Sequence, residues 1–280
     1  MRTLIVSVML ITLVMLFCFS TTGLAVIKDK GLVAYYNFDE GGGKEVTDLS
    51  GNDNNGTFKG DFDWVAGKYG KALAIEYPSK PSINERAGET THVVIVPDDK
   101  TLDISPAVTI AAWAKLSRLP TGGQCPSILT KRAKCGPGNY QLFWRGNPNG
   151  KMCYWGGGAD SCTAKCVIKA DTWHHVVSTM DFANKTIKFY LDGVNCDTQP
   201  RPTPLAPNDS PLYIGTDSCN NCGYEGTIAL DDVAIFNRAL SKNEVEAAMK
   251  EGLGNLGVTA VQASDKLSTT WASIKREISR

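Results

Sequence analysis

Short runs of apolar and polar residues, broken by Gly, Pro, Asn and Asp clusters, make up most of this chain. The clearest alternation is at 186–191, where Ile187, Phe189 and Leu191 face one way and Thr186, Lys188 and Tyr190 the other. That period of two predicts a strand with one buried face. Asp192-Gly193 follows at once and supplies a hairpin turn signal. Further strands are expected at 32–38, 92–96, 108–116, 140–144, 174–180, 212–215 and 226–236, all rich in β-branched and aromatic residues. Many short strands without a long helical period predict an all-β sandwich or barrel. Two helices break the pattern. Ser241-Lys242-Asn243-Glu244 forms a capping box, and Gly252 or Gly254 ends that helix. Leu267, Trp271, Ile274 and Ile278 then mark an amphipathic stretch beyond a linker, within a tail spanning 254–280. Residues 76–91, polar and with two prolines, read as a long exposed loop.

The N-terminus carries Arg2, an apolar run from Leu4 to Phe19 and a small-residue exit ending at Ala25. The expectation is a signal peptide over 1–25, since a membrane span needs about 20 apolar residues. The mature chain is then secreted or held at the cell surface, with no stable span. The full sequence balances 29 basic against 29 acidic residues, and losing Arg2 leaves −1. That charge gives no basic field for nucleic acid. Eight cysteines remain: Cys125, Cys135, Cys153, Cys162, Cys166, Cys196, Cys219 and Cys222. An even count in an exported chain implies disulfides, although Cys162/Cys166 and Cys219/Cys222 also have metal-ligand spacing. Spacing does not fix the pairing. Three sequons, at Asn55, Asn184 and Asn208, matter only in a glycosylating host.

Several segments, in order, resemble the LamG-like jelly-roll domain of the concanavalin A-like lectin/glucanase superfamily. They are Gly31 to Glu40, Asp48 to Asn52 with Gly56-Thr57, Val108 to Trp113, Trp173 to Val177, Lys188 to Gly193, and Gly226 to Ser241. The resemblance covers about 30–253 and assigns 26–253 to one domain. It implies a two-sheet antiparallel jelly-roll β-sandwich with a C-terminal helical extension. It also implies binding of carbohydrate or an extracellular protein, often with calcium. The cysteine-rich middle departs from the plain pattern.

Glucanases of this superfamily use two carboxylates on one strand face. Their E-x-D-x-x-E spacing does not occur here, and in a regular strand Asp231 and Asp232 point to opposite faces. The expectation is therefore a non-catalytic binding or adhesion module. The alternatives are a structural domain of a surface assembly or, less favoured, a glycoside hydrolase. His174 and His175 offer no triad; one is expected to pack or hydrogen-bond and the other to face solvent. One of Asp231 and Asp232 must turn inward, where a carboxylate needs a partner. Calcium held by Asp39, Asp48, Asn52, Asp231 and Asp232 is one solution, and local turn chemistry in the 48–55 loop is the other. For a glycan, Tyr154, Trp155 and Tyr224 are the contact candidates, with Trp155 the most exposed and Trp144 buried.

Overall fold

The computed structural model describes residues 31–77, 92–132, 138–146, 150–201, 205–216, 224 and 226–253. The expected signal segment and the 254–280 tail lie outside the described residues, as do 78–91 of the expected loop, whose first two residues, Glu76 and Tyr77, are strand instead because they pair with Thr227 and Gly226. Sixteen described strands, numbered along the chain, form two antiparallel sheets. The first runs β14 (Val194–Pro200), β13 (Thr186–Leu191), β12 (His174–Asp181), β7 (Ala107–Leu116), β16 (Gly226–Phe236), β5 (Lys71–Tyr77), β4 (Asp63–Ala66), with β1 (Leu32–Tyr36) also on β16. The second runs β11 (Ala159–Thr163), β10 (Lys151–Gly156), β9 (Gly138–Arg145), β8 (Ser127–Arg132), β15 (Leu212–Ile214), β6 (Val93–Val96), β3 (Gly56–Lys59), β2 (Glu45–Val46). This is the expected jelly-roll sandwich.

Period-two alternation decides which face each strand buries. On β7, Val108, Ile110, Ala112, Ala114 and Leu116 fill the space between the sheets, meeting Tyr140, Leu142 and Trp144 of β9. The opposite face of the first sheet has its own apolar layer, built from Tyr35, Ala111, Val177, Tyr190, Ala234 and Phe236. Helix α1 (Lys242–Glu251) covers that layer with Val245 and Ala248. Its capping box forms as expected: the Glu244 N–H donates to Ser241 Oγ, and the Ser241 N–H donates to the Glu244 carboxylate at 2.8 Å. The hairpin turn at Asp192-Gly193 has φ of 50° and 78°, the double left-handed geometry its sequence favours.

One pair of sheet edges is fastened together. Cys153–Cys162 ties β10 to β11. Cys166–Cys196 joins the segment after β11, at the edge of the second sheet, to β14, at the edge of the first. Around it Lys165 pairs with Asp197 at 2.8 Å, and Gln199 donates to the Cys162 carbonyl at 2.9 Å. Arg201 donates to the carbonyls of Gly156 and Ala159 and to Ser161 Oγ. Cys125 is disulfide-bonded as well. Cys135, Cys219 and Cys222 lie outside the described residues. These cross-links replace the metal reading for Cys162 and Cys166 and suit an oxidising, extracellular setting.

Lys131 of β8 is a core cation. Its fully buried ammonium meets Asp98 at 2.5 Å and the carbonyls of Asn208 and Ser210 at 2.6 and 2.7 Å. It thereby holds the segments before and after β15 and β6 in place. Replacing Lys131 with Ala removes every one of these donors and leaves acceptors unpaired. The expected loss is about 2–4 kcal/mol in urea unfolding. A loss under about 0.5 kcal/mol would show that the buried ammonium is not a structural tie.

Candidate functional site

β16 changes partner midway. Gly226 to Leu230 pair with β5, and Val233 to Phe236 pair with β1. Between them the register breaks, and Asp232 takes a left-handed φ of 49°. Such a bulge re-aims side chains, because the strict alternation of a regular strand is lost. Asp231 and Asp232 consequently line one cleft instead of pointing to opposite faces. This corrects the expectation drawn from a regular strand. The cleft, about 230 Å³, is also lined by Tyr35, Asn37, Asp39, Tyr69, Glu251 and Gly252.

The loop 67–71 leading into β5 is moulded around these carboxylates. The Tyr69 N–H donates to Asp231 Oδ2 at 2.9 Å, and the Lys71 N–H donates to Asp39 Oδ1 at 2.8 Å. Only glycine fits at Gly67 and Gly70: a Cβ would sit 2.5 Å from Asp231 Oδ2 and 2.1 Å from Asp39 Oδ1, respectively. The Tyr35 hydroxyl donates to Asp232 Oδ1. The Tyr69 hydroxyl donates to the Met249 carbonyl at 2.9 Å, so the end of α1 closes one side. Beneath the loop, Tyr69 meets Trp113 edge-on at 6.1 Å, and the Lys68 ammonium lies 4.4 Å over the same indole.

Burial raises both paired carboxyls. Asp231 is pushed up to about 7, with the neighbouring Asp232 charge adding to desolvation. Asp232 is pushed up to about 6 by burial, opposed by the Tyr35 hydrogen bond, while the Asp39 charge raises it further. Burial beside Asp232 and Asp231 also raises the Tyr35 and Tyr69 phenols. Asp231 Oδ1 is buried and has no hydrogen-bond partner. An orphaned buried oxygen among clustered carboxylates fits a hard cation in sign and donor type. Asp39, Asp231 and Asp232 are the residues that would hold it. Among the described residues no three His, Cys, Asp or Glu side chains form a ready-made metal centre. A calcium ion held here would have to draw on backbone carbonyls and water for the rest of its shell.

Asp48 and Asn52 are not part of this cleft. Asp48 is buried and spends its oxygens on the N–H groups of Tyr35, Ser50 and Asn54 and on the Ser50 hydroxyl. Asn52 donates its amide to the carbonyls of Leu32 and Val33. Both organise the 48–55 turn against β1, which is the turn-chemistry alternative. Glu40 caps Thr47 N–H at 2.8 Å.

The aromatic candidates divide. Tyr154 is wholly buried in the core, with Arg201 over its ring. Tyr224 is buried too, its hydroxyl donating to the Arg118 carbonyl at 2.6 Å. Neither is placed to meet a ligand. Trp155 is half-exposed on the outward face of the second sheet, and Trp144 is buried as expected. Both histidines are buried, which corrects the solvent-facing expectation for one of them. His174 bridges Asp192 at 2.8 Å and accepts the Lys169 N–H. His175 packs on Trp113, and burial pushes its pKa down to about 4. The bulge itself was out of reach of the pattern, since only Asp232, a residue type tolerant of left-handed backbone, hints at it.

The raised carboxyls give a pH signature. Asp231 and Asp232 hold protons in the folded state that the unfolded chain has lost, so their contribution is complete below about pH 4 and disappears as pH rises through 6 and 7. His175 acts oppositely: its contribution is present above about pH 6.5 and disappears as pH falls towards 4. Two carboxyls outweigh one imidazole. Melting temperature in chelator is expected to fall from about pH 5 to about pH 7.5, and Asp231→Asn to flatten most of that fall. An unchanged slope in the variant would refute the assignment.

The model of the concanavalin A-like lectin/glucanases superfamily matches residues 87–246. Among curated proteins none matches the chain. Among solved structures, domain 4 of AbnA, a GH43 extracellular arabinanase from Geobacillus stearothermophilus in complex with arabinotriose, is 18% identical with a TM-score of 0.58, covering 80% of this chain and 100% of that one. The binding domain of Paraclostridial mosquitocidal protein 1 is 18% identical with a TM-score of 0.60, covering 79% and 52%. Botulinum neurotoxin type C, whose cell entry depends on two ganglioside molecules, is 11% identical with a TM-score of 0.60, covering 79% and 51%. This chain thus spans about half the length of either toxin chain and the whole of the arabinanase domain. At these identities the likeness concerns the fold. The matched region exceeds half of the sequence, and the chain belongs to the concanavalin A-like lectin/glucanases superfamily.

Proposed function

We infer that this protein is a secreted, non-catalytic module that binds carbohydrate, with a calcium ion supporting its fold at the Asp39–Asp231–Asp232 cleft. The observation that carries the reading is the sandwich itself, which overlays the entire arabinotriose-bound domain of an extracellular arabinanase. The disulfides Cys153–Cys162 and Cys166–Cys196 support export. No helix among the described residues is long and apolar enough to cross a membrane.

The cleft favours binding over hydrolysis. A glycosidase separates its two carboxyls into an ionised and a protonated role by giving them contrasting surroundings. Here Asp231 and Asp232 are adjacent, share one buried setting and are shifted in the same direction. Tyr35 and the Tyr69 N–H already occupy an oxygen of each. Calcium, when bound, supplies charge compensation; Asp231 and Asp232 hold loop 67–71 and the end of α1 in place around it.

Screening the whole chain on a glycan array, with and without calcium, tests the reading. Reproducible, competable hits are expected, together with a calcium-dependent rise of several degrees in melting temperature that Asp231→Asn abolishes. Silence across the array would contradict the binding role. Release of reducing sugar from glucans or arabinans would contradict the non-catalytic one.

A further inference from the structure

Few large apolar side chains of this protein face solvent, and two of them bracket one disulfide. Among the described residues the exposed ones are Tyr69, Val167 and Val194, of which the valines are 70% and 64% exposed. Val167 directly follows Cys166, with Cys166 and Ile168 buried on either side of it. Val194 opens β14, two residues before Cys196. The Cα atoms of Cys166 and Cys196 are 5.5 Å apart, so both valines fall beside the same bond. Apolar residues exposed singly are ordinary on a protein surface. A pair set around a bond open to thiol chemistry is not.

The two disulfides differ in how their cysteines are held. Cys153 and Cys162 stand directly opposite in the β10–β11 ladder, with paired residues on both sides and Phe143 packed beside them. Cys166 instead lies in the stretch between β11 and β12, which belongs to neither strand. Cys196 falls at a bulge: Phe189 pairs with Asp197 and Tyr190 with Asn195, which leaves Cys196 without a partner on β13. A bulge re-aims the side chain it carries. This one turns Cys196 off the ladder to meet Cys166. Cys196 is also the half-buried end of the bond, whereas Cys166 is buried. Opening the bond therefore breaks no strand pairing. The Gln199 and Arg201 hydrogen bonds still span the same edge, so the sandwich persists with that edge loosened.

We propose that Cys166–Cys196 is an exchangeable bond worked by a dithiol oxidoreductase that docks on Val167 and Val194. A thiolate of the oxidoreductase attacks Cys196 Sγ, the Sγ–Sγ bond breaks, and Cys166 leaves as a thiolate. The second thiolate of the oxidoreductase then attacks the mixed disulfide and releases Cys196. The two protons of the dithiol end on Cys166 and Cys196. Two electrons pass with them, so this chain gains two thiols and the oxidoreductase becomes a disulfide; the reverse reaction forms the bond. Nothing in this step depends on the carbohydrate reading.

Timed reduction of the folded full chain tests the proposal, with reduced thioredoxin as the dithiol probe and dithiothreitol at matched thiol concentration beside it. Differential alkylation and peptide mapping follow each cysteine. Thioredoxin is expected to open Cys166–Cys196 before Cys153–Cys162 and faster than dithiothreitol does. A thioredoxin lacking its second cysteine is expected to be captured on Cys196. Val167→Asp combined with Val194→Asp should slow the thioredoxin reaction about tenfold, because docking would then strip water from two carboxylates. The dithiothreitol rate should stay within about twofold, which shows that the variant is folded and the bond equally accessible. Opening of Cys153–Cys162 first, an undiminished thioredoxin rate in the double variant, or equal slowing with both reductants would overturn the proposal.

Discussion

The change of partner along β16 is the constraint on which the rest of the first sheet depends. A single strand cannot stay regular while its first half pairs with β5 and its second half with β1, because the two partners end at different points. The left-handed turn at Asp232 absorbs the mismatch and opens a gap between strand ends. Backbone N–H groups of the loop entering β5 would be orphaned there, and the carboxylates of Asp39 and Asp231 accept them. The acidic cleft is thus first a solution to a pairing problem. Its residual negative charge and the unpartnered Asp231 Oδ1 are what remain once the backbone is satisfied.

A second constraint is the fastening of β11 to β14. A sandwich leaves open edges, and exposed edges invite unwanted pairing. Here Cys166–Cys196, Lys165–Asp197 and the Arg201 contacts bridge the two sheets along one edge. The same contacts fix the β10–β11 hairpin that carries Trp155 and Asp160.

The strands with strong alternation or apolar content were legible in the sequence: β1, β6, β7, β9, β12, β13, β15 and β16 all fall where the pattern places them. The capping box of α1 and the Asp192-Gly193 turn were legible for the same reason, since each is a local rule with a local cause. Strands β2, β3, β4, β5, β8, β10, β11 and β14 were not. β14 is an exposed polar edge, and β8 carries Lys131 and Arg132, whose burial depends on partners far along the chain. Of the cation candidates, Asp39, Asp231 and Asp232 come together because of a bulge that no periodicity encodes. Asp48 and Asn52 look the same in sequence but serve their own turn. Tyr154 and Tyr224 were ambiguous because aromatic residues suit cores and binding faces equally.

Two adjacent carboxyls, Asp231 and Asp232, share one buried gap. Carbon-detected NMR titration of the Asp side chains in metal-free protein measures this directly. Asp231 should titrate near 7 and Asp232 near 6, well above the other aspartates. Ordinary values near 4 for both would mean that the two side chains part to opposite faces, and the account of the cleft would be wrong.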